Sequence, residues 1–411
     1  IVRQCRLTRI SLREATVYQD VPRGHLKTRD HLRHARDAVY KSPSSTTYDA
    51  SQDPARPPLL AHPMAITEYK YLTAEQRAHF LQHGWVRIEH GVPPENVARF
   101  LENVWVRLGY DPDDKSTWQK EKIHMPRHRE VPTPEFMPKA WGAICELLGG
   151  EDRIDRTLFE SCGDSLIVNL GKDEYRDLDI HPKDLGNWHI DGDWFTHFLD
   201  SGDQALELLV LYNDIAPKAG ATWIAPDGLK NIVDFLYEHR EGVNEMPQDP
   251  DGSRSICSIQ TCQDFVELTG KAGDVILMHP FMPHSASKNQ LRIPRFITNP
   301  PVTLKEPLNL NRENPADYVR SDSSIDIFHY AADVSLESLV EQKILDTLGV
   351  SQLEEWHITG ERRRFVPRTR AGKDALIREE IDRLKAHAMR TGGTVDSMHI
   401  NGPVPYAVVV G

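Results

Sequence analysis

His189 and Asp191 stand two apart in the run Asn187-Trp188-His189-Ile190-Asp191-Gly192-Asp193-Trp194-Phe195, and His284 lies in Pro283-His284-Ser285-Ala286-Ser287-Lys288-Asn289, with Arg295 further on. Two imidazoles and one carboxylate on one side of an ion leave three positions open, which is how non-haem Fe(II) takes both a co-substrate and dioxygen. In an extended segment, side chains two apart share a face. His189 and Asp191 can therefore reach one ion while Ile190 points to the opposite layer. The triplet alone is a weak signal, because 19 histidines and 61 acidic residues among 411 will produce it by chance. A solvated turn is the competing reading.

The second histidine ends the apolar run that follows the Gly273-Asp274 turn, which reads as a buried strand delivering His284 to a cavity. His279 is the rival ligand. In a regular strand the odd spacing would put the two on opposite faces, although Pro280 and Pro283 make this strand irregular. The polar Ser285, Ser287 and Asn289 suit the mouth of a site and favour His284, leaving His279 as a hydrogen-bonded core histidine. Residues 292–299 then read as a strand. A guanidinium pointing into a barrel needs a partner, since a buried unpaired charge is costly, and its natural partner is a carboxylate gripped by two parallel hydrogen bonds. For Arg295 that carboxylate could belong to 2-oxoglutarate, a surface arginine being the alternative. Arg292, cut off by Pro294, reads as a surface residue.

Trp188-His189-Ile190-Asp191-Gly192-Asp193, the Ala219-Gly220-Ala221-Thr222 turn after a long apolar strand, Gly273-Asp274 through His284, and Arg295 together resemble the phytanoyl-CoA dioxygenase superfamily. The resemblance covers roughly residues 72 to 310 and is nearest to fungal members of unassigned substrate. It implies a mainly β fold with flanking α-helices, a double-stranded β-helix of jelly-roll or cupin-like barrel form. It also implies a dioxygenase using Fe(II), 2-oxoglutarate and O2, with His189, Asp191 and His284 on the metal and Arg295 on the far carboxylate of 2-oxoglutarate. Such an enzyme releases succinate and CO2 and oxidises whichever C–H bond is positioned nearest, hydroxylation being the default outcome. The chain departs from the pattern in one place. Many members have Pro-Gly-Ser-His after the long strand, whereas this chain has Ile224-Ala225-Pro226-Asp227-Gly228, so the acyl-CoA substrate of the founding member does not carry over. Trp188, Asp193, Trp194 and Phe195 are candidates to line the pocket, and Asn169, Thr222 and Trp188 to contact the co-substrate. For Asn169 a solvent-facing amide is the alternative, and for Trp194 a barrel-filling ring.

The elements that must position these residues can be read coarsely. Thr73 with Gln76 resembles a capping box opening a helix that stops at Gly84. A strand follows at 85–89, one helix at 94–108 on the spacing of Val97, Phe100, Leu101, Val104 and Leu108, and another at 138–148. Strands are expected at 165–170, 205–212, 221–225, 274–279 and 295–299, with a jelly-roll barrel as the arrangement. Helices at 338–348 and 375–389 follow, the latter rich in Arg, Glu and Lys and read as a solvated amphipathic helix or an oligomer contact.

At 39% hydrophobic and 27% charged, the chain can form a sizeable core, and it has no apolar run of the roughly 18 residues that a membrane span needs. Cys5, Cys145, Cys162, Cys257 and Cys262 form no C-x-x-C pair and are odd in number, which argues against a disulfide framework or zinc site and for the cytosol. Residues 1–63 hold eleven basic and six acidic side chains, net +5, leaving −17 of the total −12 for the rest. An acidic body is a poor nucleic-acid surface, so the expected partner is a small organic molecule. The basic head lacks apolar periodicity and has too many acids for a transit peptide. It is expected to be disordered or foreign to the enzyme, with Met64 as the natural start, a dioxygenase domain at 64–310 and a helical extension at 311–411. Within that extension, 319–337 reads as an insertion or a retained intron. Two rival functions are a non-catalytic, cupin-like binding protein and a metal-dependent hydrolase. A binding module has no need of a carboxylate clamp, and no general base presents itself beside His284 for a hydrolase.

Overall fold

Two facing antiparallel sheets carry the site, and the alternation of their strands decides what points between them. The computed structural model describes residues 68–312, 337–366 and 373–401, all in the unit Pro63–Gly411. The expected head at 1–63 and the insertion at 319–337, save Glu337, lie outside the described residues. The strands are β1 (Trp85–Ile88), β2 (Lys122–His124), β3 (Glu130–Pro132), β4 (Ser161–Gly163), β5 (Ile167–Asn169), β6 (Leu206–Leu211), β7 (Thr222–Ile224), β8 (Val266–Leu268), β9 (Val275–Met278), β10 (His284–Ala286), β11 (Arg295–Thr298) and β12 (Pro301–Val302). The larger sheet runs β1-β9-β6-β11-β5-β2, with β12 also on β6, and the smaller runs β10-β7-β8. An isolated bridge between His189 and His284 adds the His189 segment to the edge of the smaller sheet.

This is the expected double-stranded β-helix with flanking helices, its two antiparallel sheets not closed into a full barrel. β1 and β2 extend the larger sheet to seven strands, which three facing strands cannot close around. The expected strands are present in shortened form, and β2, β3, β4, β8, β10 and β12 were not foreseen. The even-numbered positions of β6 and β11 face outward onto helices. Phe100 of α2 (Pro94–Leu101; α1 is Ala74–His83) stacks on Phe136 at 4.4 Å between centroids and on Tyr212 at 6.1 Å. Trp105 of α3 (Val104–Leu108) meets Phe296 edge-on at 5.8 Å. Burial of such rings is the main favourable term holding helices on the sheet.

α1 forms as the capping box dictates, with Thr73 accepting from the Gln76 amide and Gly84 closing the helix in the left-handed region. The single helix expected at 94–108 is instead two. Asn103 takes φ 60°, a conformation asparagine tolerates better than most residues, and the break re-aims α3 so that Arg107 enters the core. Four more helices are α4 (Thr133–Phe136), α5 (Pro138–Leu148), α6 (Gly228–Glu238), which was also unforeseen, and α7 (Leu339–Leu348). The last long helix, α8 (Lys373–Thr391), is not merely solvated. It buries Ile377, Glu380 and Leu384, and Glu380 Oε2 accepts from Arg107 Nε at 2.8 Å while Arg107 also pairs with Asp164 at 2.9 Å. Ahead of α8, residues 363–365 run beside 194–196, the Thr196 amide donating to Arg363 O at 2.9 Å and the Phe365 amide to Trp194 O at 2.6 Å. The segment just after Asp191 is thereby held from the C-terminal side. No described helix is long and apolar enough to cross a membrane.

Candidate active site

His189, Asp191 and His284 each offer a donor atom within 4.8 Å of the others. Asp191 Oδ1 lies 3.3 Å from His189 Nε2 and 3.7 Å from His284 Nε2. The Nε2 atoms are available for a local reason. His189 Nδ1 sits 2.7 Å from Asn187 O and His284 Nδ1 3.1 Å from Met282 O; a carbonyl only accepts, so each Nδ1 carries the proton and each Nε2 presents its lone pair to the centre. The other oxygen of Asp191, Oδ2, accepts from Asn299 Nδ2 at 2.8 Å. Burial alone would push the Asp191 carboxyl up, but when the two imidazoles also take a proton at Nε2 their hydrogen bonds and charges outweigh it and hold the group well below the usual carboxylate range. Gly192 follows at φ +121°, where a Cβ would sit 2.6 Å from the His197 ring, so a side chain there would push the loop off Asp191. The opening lies on the His189 side, whose side chain is 38% exposed against 7% for His284.

Among the described residues Arg295 is a buried cation without an acid. It is 2% exposed, Nε has no hydrogen-bond partner, and its described polar contact is Thr222 Oγ1 at 3.4 Å from Nη1. Burial brings the guanidinium down to about 10, still protonated at neutral pH. Cross-strand register puts Lys122, Asn169 and Arg295 in one row, hence on one face. The donor set of two nitrogens and one carboxylate suits Fe(II), and a guanidinium buried with an orphaned N–H suits the carboxylate of a small dianion. His189, Asp191 and His284 could thus hold a metal, and Arg295 with Thr222 an acid.

The other expected residues divide. Asn169 is buried beside Arg295, but its amide donates to Ser287 O and accepts from the Gly171 N–H, clamping loops. Trp188 is not brought to the chamber: it is fully buried, its indole N–H donates to Pro182 O at 2.9 Å, and its ring packs on Phe265. Odd and even positions face opposite ways, so a residue next to His189 points away from it. His279 lies in the core, its Nδ1 accepting from the Phe281 amide, with burial pulling it down to about 3. Arg292 pairs with Asp173 near the surface. Two residues at the site were missed. Asn299 is on the inward face by its even separation from Arg295. Glu207 is a lone acid in the apolar run 205–212, and burial together with the Asp191 charge pushes its carboxyl well above the usual range.

A model of the family described as phytanoyl-CoA dioxygenase (PhyH) matches residues 80–296, more than half of the chain. The chain belongs to this family. With membership of the PhyH family comes the enzyme class, a non-haem iron, 2-oxoglutarate-dependent dioxygenase. The matched span contains the triad, Arg295, Thr222 and Glu207, and stops short of Asn299 and the C-terminal helices. A search of curated proteins gives no match. Among solved structures, the non-haem α-ketoglutarate-dependent epimerase SnoN of nogalamycin biosynthesis shares 18% identity over 55% of this chain and 80% of its own, at TM-score 0.30. HygX from Streptomyces hygroscopicus, solved with nickel, 2-oxoglutarate and hygromycin B, shares 15% over 56% and 86%, at 0.32. EctD from S. alaskensis, in its apoform, shares 15% over 59% and 82%, at 0.32. At these scores the likenesses decide nothing about this PhyH member, and the family match stands on its own.

Proposed function

We propose that this PhyH member hydroxylates a small organic molecule in the cytosol, with His189, Asp191 and His284 holding the iron and Arg295 holding the distal carboxylate of 2-oxoglutarate. The observation that carries the reading is the pairing of a three-donor cluster with a buried guanidinium that has no acid of its own among the described residues. Iron(II) and 2-oxoglutarate, when bound, would supply the chemistry by which dioxygen oxidises the substrate, one oxygen atom going to the product and the other to succinate, with CO2 released. The protein's share is placement. Asn187 O and Met282 O fix the tautomers of the two imidazoles, Asn299 orients Asp191, and Thr222 steadies Arg295. Effective concentration at a fixed geometry, rather than an acid or base of the protein, then selects the bond that reacts. The acidic body surface and the departure at 224–228 support a small substrate other than an acyl-CoA. The free thiols of Cys145, Cys162 and Cys262 support a reducing compartment.

The test is anaerobic titration of Fe(II) and 2-oxoglutarate into the protein, watching for the weak visible charge-transfer band of a chelated keto acid. The band is expected, and Arg295→Ala should raise the 2-oxoglutarate needed for half-saturation by at least roughly tenfold, since a charged hydrogen-bond pair is lost. Iron-loaded, folded protein without the band would point to a different metal chemistry.

A further inference from the structure

Glu207 is 1% exposed and stands at an inward position of β6, in a strand whose other five residues are all apolar. Its cross-strand neighbours, Pro301 and Met278, bring no donor side chain. Among the described residues neither carboxylate oxygen accepts a hydrogen bond, and His284 Nε2 lies 3.3 Å from Oε1. That Nε2 is the atom His284 turns towards the metal, so Glu207 loses it when the site is loaded. Glu207 is not placed as a fourth ligand. Two donors on one ion at ~2.0–2.2 Å stand no more than about 4.4 Å apart, and the group whose donors all lie within 4.8 Å stops at His189, Asp191 and His284.

Register shows which way Glu207 faces. From β11 into β12, the inward positions run from Arg295 through Ile297 to Asn299, which touches Asp191, and on to Pro301, which lies opposite Glu207. Arg295 and Glu207 therefore stand on opposite sides of the triad along the strands, leaving the Glu207 side to something other than 2-oxoglutarate. Burying a carboxylate without a donor is unfavourable. Such groups persist where a ligand completes them.

We propose that Glu207 is a specificity-determining residue and that the substrate carries a primary or secondary amine, bound as its ammonium against this carboxylate and close to the reacting carbon; this rests on the oxygenase reading above. With neither oxygen held by a described protein donor, Glu207 is better matched by an ammonium, which offers two or more N–H donors and a charge that favours the ionised carboxylate, than by a hydroxyl with one.

The experiment compares full-length wild type with Glu207→Gln and Glu207→Leu. Unloaded, Glu207→Leu should melt at or above the wild-type temperature, by up to roughly 5 °C, because a buried unsatisfied group has been removed, while Glu207→Gln, which keeps a buried amide, should stay near wild type; a fall in both would mean a structural role and overturn the proposal. The anaerobic Fe(II)/2-oxoglutarate titration should agree within about twofold between wild type and Glu207→Gln; a tenfold loss of metal affinity would make Glu207 a ligand and overturn it. Absence of the band in wild type itself would fail the oxygenase reading, and this proposal with it. The loaded, oxygen-free protein is then probed by saturation-transfer NMR with matched amine, alcohol and methyl compounds on butyl, cyclohexyl and phenylethyl frames. Amines should bind wild type at least about tenfold tighter than their partners, and the preference should vanish in both variants. With the band present, equal binding of the three classes, no binding at all, or a preference for alcohols that survives Glu207→Gln would overturn this proposal alone.

Discussion

Asp191 divides its two oxygens: Oδ1 faces the imidazoles, and Oδ2 is held by Asn299. A carboxylate free to rotate would offer the wrong lone pair part of the time, and outer hydrogen bonds of this kind typically carry a 10–100-fold effect on metal affinity. Asn299→Ala is therefore expected to weaken Fe(II) binding by about that factor, read by anaerobic titration, with little change in melting temperature. Asp191→Ala should abolish iron binding and turnover together, and full activity in that variant would mean that the metal sits elsewhere. The triad was legible because period-two spacing and an apolar run ending in histidine are local patterns. Asn299 shows the limit: alternation from Arg295 predicts its face, but only the fold reveals that Asp191 lies across from it. Trp188 errs the other way. Proximity in sequence suggested the chamber, yet the alternation that turns His189 inward turns its neighbour out.

α8 shows how an element can be recognised and still be misplaced. Its Arg, Glu and Lys content reads as a solvated face, but Glu380 is 3% exposed and bonded to Arg107, with His128 Nε2 3.1 Å away. Removing one member of a buried pair strands the other, at a typical cost of about 3–5 kcal/mol. Glu380→Ala should lower stability by that amount in denaturant unfolding, and a loss below about 1 kcal/mol would show the pair to be solvated in solution. The capping box of α1 and the apolar strands were legible because each is specified by residues next to one another. The break at Asn103 and the burial of α8 were not, since both answer to Arg107, which meets partners at 164 and 380.

Across the whole molecule, Arg312 Nη1 lies 3.1 Å from Glu337 Oε1, so the chain departs and returns at one place on the fold. Closing a loop of any length between such points costs little more than closing a short one. Deleting residues 319–336 is accordingly expected to leave the melting temperature within about 2 °C and the Fe(II)/2-oxoglutarate titration unchanged, whether that segment is an insertion or a retained intron. A larger drop would show that the segment packs on the domain. The Arg107 contacts also bear on how the protein is made. A ribosome releases residue 107 long before residue 380, and the stretch at 363–365 that steadies the metal-binding loop emerges nearly as late. During synthesis the nascent chain holds a core arginine still waiting for its second acid, so the domain is complete only once residue 380 has left the ribosome, and a product terminated before that point is expected to behave as a client for chaperones and proteases rather than as a partly active enzyme.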